Sequence, residues 1–243
     1  MEDGFFIFRK SDTIQIMKLS SLDLNINKVI RILVASDFVL YFAFGLFSPI
    51  YAIFITRQIE GGTLAVVGMA TTMYWVARLL TTVPLSKLMD KTDGEKDEFY
   101  FMIIGTLLTA VVFISYTFAS KVWHVYALQF TFGVINSMVV PAWRIVFTNH
   151  LDRDKTGYYW SVEDIGIGLA VATSAYIGAL AAEKFGFNVV LYVVASLSVV
   201  SALVLILLRK YTYTFKELRR LAKERRHLRP TLKGHQSSDH SAK

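Results

Sequence analysis

Apolar residues along this chain fall into six runs, residues 32–56, 63–85, 99–119, 122–147, 158–182 and 187–208, each separated from the next by a short polar gap. A helix needs about 20 residues, at 1.5 Å each, to cross roughly 30 Å of hydrocarbon, and every run meets that length. The gaps carry the punctuation of water-exposed turns: Arg57-Gln58-Ile59-Glu60-Gly61-Gly62, residues 90–98, Ser120-Lys121, residues 150–157 and residues 183–186. Lipid offers no hydrogen bonds to an open backbone, and the alternating segments of about ten residues that build a barrel are missing. The pattern therefore predicts an all-α membrane protein with six transmembrane helices.

Composition agrees and narrows the choice. Of 243 residues, 54% are apolar and 19% charged, at a mean hydropathy of +0.45; soluble domains usually carry about 25% charged residues. With 14 Gly, 4 Pro and 14% aromatics, the chain is neither collagen-like nor disordered, and zero Cys excludes disulfides, thiolate metal sites and cysteine nucleophiles. The net charge of +7 changes the picture only through its distribution. Counted by side, 22 of the 26 Lys and Arg fall before the first run, after the last, or in the second-to-third and fourth-to-fifth regions. Only Arg57, Lys121 and Lys184 fall on the other side, and Arg78 lies mid-run. Basic residues near span ends stay on the cytoplasmic face, so both termini are expected in the cytoplasm, the chain being integral to the plasma or inner membrane.

Three segments follow: a cytoplasmic N-terminal segment (1–28), a six-helix transmembrane domain (29–210) and a basic cytoplasmic tail (211–243), partly disordered. Phe5-Phe6-Ile7-Phe8 is too short for the apolar region of a signal peptide and has no small-residue cleavage site. Residues 216–229 form a candidate basic surface helix drawn to anionic lipid. The side bias already explains this charge, so no nucleic-acid partner is expected.

Charges inside lipid cost about 2.5–3.5 kcal/mol or more and normally face a bundle interior or an aqueous cavity. Here they are Asp37 in span one, Arg78 in span two, Arg144 near the end of span four, and Glu163 and Asp164 in span five; spans three and six have none. Helical spacing extends each into a stripe: Asp37 with Tyr41, Phe44 and Ser48; Arg78 with Thr71, Trp75 and Thr82; Gln129 with Gly133 and Asn136; Glu163 with Ser174 and Gly178. Polar faces on spans one, two, four and five suggest one shared cavity, with Asp37, Trp75, Arg78, Gln129, Asn136, Glu163 and Asp164 as its substrate or ion pathway. Consecutive carboxylates stand about 100° apart on a helix, which favours Glu163 as the one facing inward. Asp37 and Arg78 lie at similar depth, within range of an ion pair that handles substrate or protons or serves structure alone; snorkelling is the other reading. Arg144 reads as an interfacial anchor or as a partner for Glu163 and Asp164 across the four-five hairpin, and Trp143, Tyr158, Tyr159 and Trp160 read as an interfacial belt, while Trp75 lies deep enough to stack on a solute. The five His residues form no metal spacing, and no nucleophile elbow, phosphate loop or dinucleotide fingerprint occurs, so neither an enzyme nor a metal or other cofactor is expected.

Residues 86–96 read Ser86-Lys87-Leu88-Met89-Asp90-Lys91-Thr92-Asp93-Gly94-Glu95-Lys96. Asp90, Lys91, Gly94 and Lys96 match in type the loop signature between helices two and three of the major facilitator superfamily, with Ser86 in place of its first Gly and one extra residue before Gly94. Residues 133–142, Gly178-Ala179-Leu180 and Phe185-Gly186-Phe187 resemble that family's fourth to sixth helices in order and spacing. Over about residues 32–209 the chain thus resembles the N-terminal six-helix half of such a transporter. Gln129 stands where the family often has Arg, and the fifth-helix Gly-Pro signature of its exporters is missing, so no direction of transport carries over. The resemblance implies a 3+3 inverted-repeat bundle whose helices one, two, four and five line a cavity, and a second such half around a midplane site. It implies secondary active transport of a small solute by alternating access, by a homodimer or by pairing with another six-helix half, with the Asp90 loop touching the partner. The alternative is a non-transporting membrane scaffold or regulatory half-transporter.

Overall fold

A computed structural model describes residues 26–211 except 90, 92, 93 and 153. The candidate tail helix, the Phe5–Phe8 run and Asp90 of the loop motif lie outside the described residues. Six helical spans run antiparallel: α1 (Lys28–Phe47), continued through a short 3-10 turn (Ser48–Ile50) into α2 (Tyr51–Gln58); α3 (Leu64–Met89); α4 (Lys96–Tyr116); α5 (Val122–Asn149); α6 (Thr156–Phe185); and α7 (Phe187–Ile206), ending in a 3-10 turn (Leu207–Lys210). All six are long and apolar enough to cross a membrane, as the six-run pattern predicts. The break in span one was not foreseen. Pro49 has no N–H to give to the carbonyl one turn back, so the helix tightens there and restarts at Tyr51.

Helix pairing follows a two-fold pattern. The tightest pairs are α3 with α5 and α1 with α6; next come α4 with α5, α1 with α7, and α4 with α7. Exchanging spans one, two and three for four, five and six maps these pairs onto themselves, which is the relation a 3+3 repeat requires.

Close approach in lipid depends on small residues, because lipid tails are as apolar as the helices themselves. A Cβ at Gly133 of α5 would collide with the Tyr74 carbonyl oxygen and with Ala77 of α3. Gly45 of α1 sits against Ser174 and Val171 of α6, and a Cβ at Gly178 of α6 would strike the Leu46 carbonyl oxygen. The two clamps are equivalent under the same exchange. Thr81 and Thr82 Oγ1 lie 2.9 and 3.0 Å from Ser137 Oγ, adding polar contacts between α3 and α5. Ser201 Oγ donates to the Ser36 carbonyl at 2.9 Å, tying α7 to α1.

Two apolar clusters close the ends of the bundle. One, around Phe47, Phe54, Phe113, Tyr116 and Leu191, lies toward the 59–63 and 117–121 turns; there Glu60 N–H donates to the Ser120 carbonyl at 2.8 Å. The other gathers Ile30, Leu33, Met89, Phe99, Trp143, Phe147, Tyr159 and Leu208 at the opposite end. Trp143 and Tyr159, expected in the interfacial belt, are buried there: Trp143 stacks on Phe147 at 4.6 Å, and Tyr159 donates to Asp152 at 2.5 Å. At this end Asn149 Nδ2 donates to Glu95 Oε1 at 2.8 Å, and His150 Nδ1 lies 3.6 Å from the same oxygen. Asn27 Nδ2 donates to the His150 carbonyl at 3.2 Å, and His150 Nε2 lies 3.3 Å from the Tyr211 carbonyl. The start of α1, both adjacent loops and the end of the last span thus meet at one polar junction.

Overpacking a tight helix contact costs about 1–3 kcal/mol. Gly133→Leu and Gly178→Leu are each expected to lower the Tm of the detergent-solubilised protein by roughly 3–10 °C. Gly168→Ala, where an added Cβ meets nothing within 4 Å, is expected to move it by about 1 °C or less. Equal shifts for all three, followed by tryptophan fluorescence on heating, would remove the glycine clamps from the account of this fold.

Candidate functional site

Between the two apolar ends lie two adjoining cavities. The larger, about 450 Å3, is lined from α1 and α2 by Tyr41, Phe44, Phe47, Ser48 and Tyr51, from α3 by Thr71, Tyr74, Trp75 and Arg78, from α4 by Val112, Phe113 and Tyr116, and from α5 by Gln129, Phe132, Asn136, Val140 and Arg144. The smaller, about 160 Å3, lies between α1, α5 and α6 and includes Asp37, Trp143, Trp160, Glu163 and Ile167. Tyr41, Phe44, Asn136, Val140 and Arg144 line both, so the two chambers share a wall.

The stripes explain this lining. On α5, Gln129, Phe132, Asn136, Val140 and Arg144 recur every three or four residues, one continuous face from one end of the larger chamber to the other. On α1, Asp37, Tyr41, Phe44 and Ser48 do the same, and the turn at Pro49 carries the stripe on to Tyr51. Gln129 Nε2 donates to Tyr51 Oη at 2.6 Å, joining the two helices across the chamber. Asn136 Nδ2 donates back to the Phe132 carbonyl at 3.1 Å.

Arg78 is held by aromatics. Its Nη1 donates to Tyr74 Oη at 3.2 Å, and its guanidinium carbon lies 5.2 Å from the Trp75 ring centre and 5.8 Å from that of Tyr74. A guanidinium over an aromatic face gains roughly 0.5–2 kcal/mol or more, depending on how dry the site is. It forms no ion pair with Asp37; the two line different chambers. Asp37 instead shares the smaller chamber with Glu163, near enough for the two carboxyls to interact electrostatically. Both Glu163 oxygens are buried, with the Asp37 carboxyl as their neighbour in the chamber.

Of the residues expected in the pathway, the structure brings Trp75, Arg78, Gln129 and Asn136 to the larger chamber, and Asp37, Glu163 and Asn136 to the smaller. Asp164 lies exposed and lines neither. Ser174 and Gly178, aligned with Glu163 in sequence, belong to the packing face on α1 rather than to a cavity wall. Lys91 and Lys96 of the loop motif are exposed and Gly94 is buried, with a positive φ of 82°. Sequence reasoning missed Arg144 as a lining residue. The signal was present, since Arg144 stands eight residues beyond Asn136 on the same face. It also missed Tyr51 and Tyr74, whose hydroxyls meet Gln129 and Arg78.

The comparisons with known proteins fall where this geometry leads. The model of the Major Facilitator Superfamily matches residues 33–238, and the chain belongs to that family, a family of transporters rather than enzymes. A multidrug resistance protein, MdtG, of Salmonella arizonae is 24% identical over 204 residues, covering 81% of this chain and 46% of that protein. An uncharacterised MFS-type transporter of Methanocaldococcus jannaschii is 24% identical over 160 residues, covering 66% of this chain and 40% of its own length. The chain thus spans about half the length of the curated relatives it matches. Among solved structures, the POT family transporter PepTSo superposes with a TM-score of 0.58 at 15% identity, covering 76% of this chain and 38% of that one; that likeness concerns the fold.

Burying two carboxyls side by side costs stability in the fold that holds them. Glu163→Gln is therefore expected to leave the Tm unchanged or raise it. A fall of more than about 3 °C in the same fluorescence melt would mean that Glu163 serves packing rather than the chamber.

Proposed function

We propose that this chain forms half of a secondary active transporter that moves a small solute by alternating access around the two chambers. The observation that carries this reading is that Asp37, Arg78, Arg144 and Glu163, from spans one, two, four and five, line two adjoining cavities between the apolar clusters at the ends of the bundle. A structural core of this size has no need of two guanidiniums and two carboxyls within a lipid-depth interior, where each is costly. The larger chamber falls in the range of about 300–1,000 Å3 common to small-molecule sites.

A second six-helix half completes the pathway in this reading, whether as a second copy, another chain or a further part of a longer protein. Spans two and five support it: only 17% of the core window of each is buried, against 39–56% for the other four. Asp164, in α6, is exposed eight residues beyond the helix start. A carboxylate turned toward lipid at that depth is costly, so a protein or aqueous neighbour is the fitting cover. The basic bias of one side favours both termini in the cytoplasm, with the loop of Asp90, Lys91, Gly94 and Lys96 on the face where the halves rock.

Asp37 and Glu163 form the proton-handling pair in this reading, in place of Asp37 with Arg78. Two facing carboxyls in a dry chamber hold a shared proton more readily than two negative charges. The test is reconstitution of the purified chain in liposomes, crosslinking, and accumulation of a small panel of solutes driven by a pH gradient. Dimers with flux are expected, and Asp37→Asn is expected to abolish the pH-driven component at normal expression. Monomers with no flux under any gradient would overturn the self-sufficient reading and favour a scaffold or a missing partner. Flux unchanged in Asp37→Asn would remove Asp37 from the mechanism.

A further inference from the structure

The charges of the two chambers are segregated. In the smaller, Asp37 and Glu163 face each other with Arg144 on the shared wall. In the larger, the charged lining consists of Arg78 and Arg144, with no carboxylate among the lining residues. Arg78 makes no ion pair among the described residues: its polar contact is the neutral Tyr74 hydroxyl, and its faces are covered by rings. A guanidinium cannot shed its proton, so inside a membrane it needs an anion, water or an aromatic face around it. Tyr74 and Trp75 supply the aromatic face and leave the remaining N–H donors of a planar fork unused. That fork matches a carboxylate or phosphate in two parallel hydrogen bonds.

The walls specify the rest of the ligand. Phe44, Phe132 and Tyr74 pack ring to ring, at 5.7 Å between Phe44 and Phe132 and 5.5 Å between Tyr74 and Phe132, and Trp75 completes an apolar, flat-faced surface beside Arg78. Such walls reward a flat hydrocarbon body. A cation entering the same chamber would face two guanidiniums with no acidic neighbour on its walls. A neutral ligand would leave both without an added counter-charge.

We propose that the larger chamber binds an organic anion with a flat apolar body, its acid group held by Arg78 on the Arg144 side of the chamber and its body lying against Phe44, Tyr74, Trp75 and Phe132. This rests on the transport reading for its biological meaning, but the binding site stands or falls separately. The test uses three probes of one shape, 1-naphthoate, 1-naphthylmethylammonium and 1-naphthylmethanol. Binding to the full chain in lipid nanodiscs is measured by equilibrium dialysis against empty discs, which corrects for partition into lipid. The carboxylate is expected to bind at least about tenfold more tightly than the alcohol, a charge-assisted pair being worth that much or more. Arg78→Gln is expected to bring the two within about twofold, and Arg78→Lys, which keeps the charge and loses the fork, to retain part of the preference. Both variants are judged by elution as a single symmetric species, and Arg78→Lys keeps the test alive should Arg78→Gln not fold. Equal or tighter binding of the ammonium or alcohol probe, binding of none of the three, or a preference intact in Arg78→Gln overturns the proposal. Carboxylate binding that depends on Arg78 in a chain with no flux retains the anion site and removes the transport reading. Flux of the ammonium probe without carboxylate preference does the reverse.

Discussion

Between helices in lipid the hydrophobic effect supplies almost nothing, so association rests on how closely backbones approach and on the few polar groups that meet there. In this bundle Gly45 and Gly178 bring α1 against α6, and Gly133 brings α5 against α3. Two tight pairs leave a wider seam between them, crossed by Gln129 and Tyr51 at one level and filled by Phe44, Phe113 and Phe132 at another. The chambers are that seam. A larger residue at either clamp would tilt its pair and move the walls, so the geometry of the site depends on residues that do not touch it.

Charge is handled differently on the two sides of the seam. The α1 and α6 side carries the carboxyls, Asp37 and Glu163, and the α3 side carries Arg78, with Arg144 of α5 on the wall between. Had Asp37 and Arg78 paired, each would have neutralised the other and the seam would have been an inert core contact. Held apart in separate chambers, both remain available to something that enters. Aromatic cover on Arg78 keeps the guanidinium in place without cancelling its charge.

The spans and the lining stripes were legible because lipid enforces them: an uninterrupted apolar run of the right length has one outcome, and a helix repeats its faces every 3.6 residues. That regularity fixes which residues share a face of one helix. It does not fix how helices rotate against one another or how their ends are covered, and the misreadings lie at those steps. Asp37 and Arg78, at matching depth, face different chambers. Ser174 and Gly178, in phase with Glu163, pack on α1 because small residues are used for close approach as readily as polar ones for a cavity. Trp143 and Tyr159, at span ends and amphipathic, resemble belt residues in composition, yet both are buried in the apolar cluster at that end. Arg144 sits on the Asn136 stripe, but its nearness to the span end matched an anchor equally well. Glu95, Asn149 and His150 had no sequence signal at all, since the junction they form joins residues from separate loops.

Two features of α6 are costly in a static bundle. Glu163 keeps two buried oxygens beside the Asp37 carboxyl, and Asp164, one residue on, turns a carboxyl outward. A bundle optimised for stability alone would have placed apolar helix formers such as Leu at both positions. On α6 one carboxyl faces the chamber and the other faces outward. In the proposed transport cycle, a shift of charge or proton on Glu163 would act on the same helix turn that carries Asp164. Rigid-body rocking of one half against another needs that kind of coupling between an occupied site and an interface. The single residue step from Glu163 to Asp164 would be the shortest path for it in the proposed assembly.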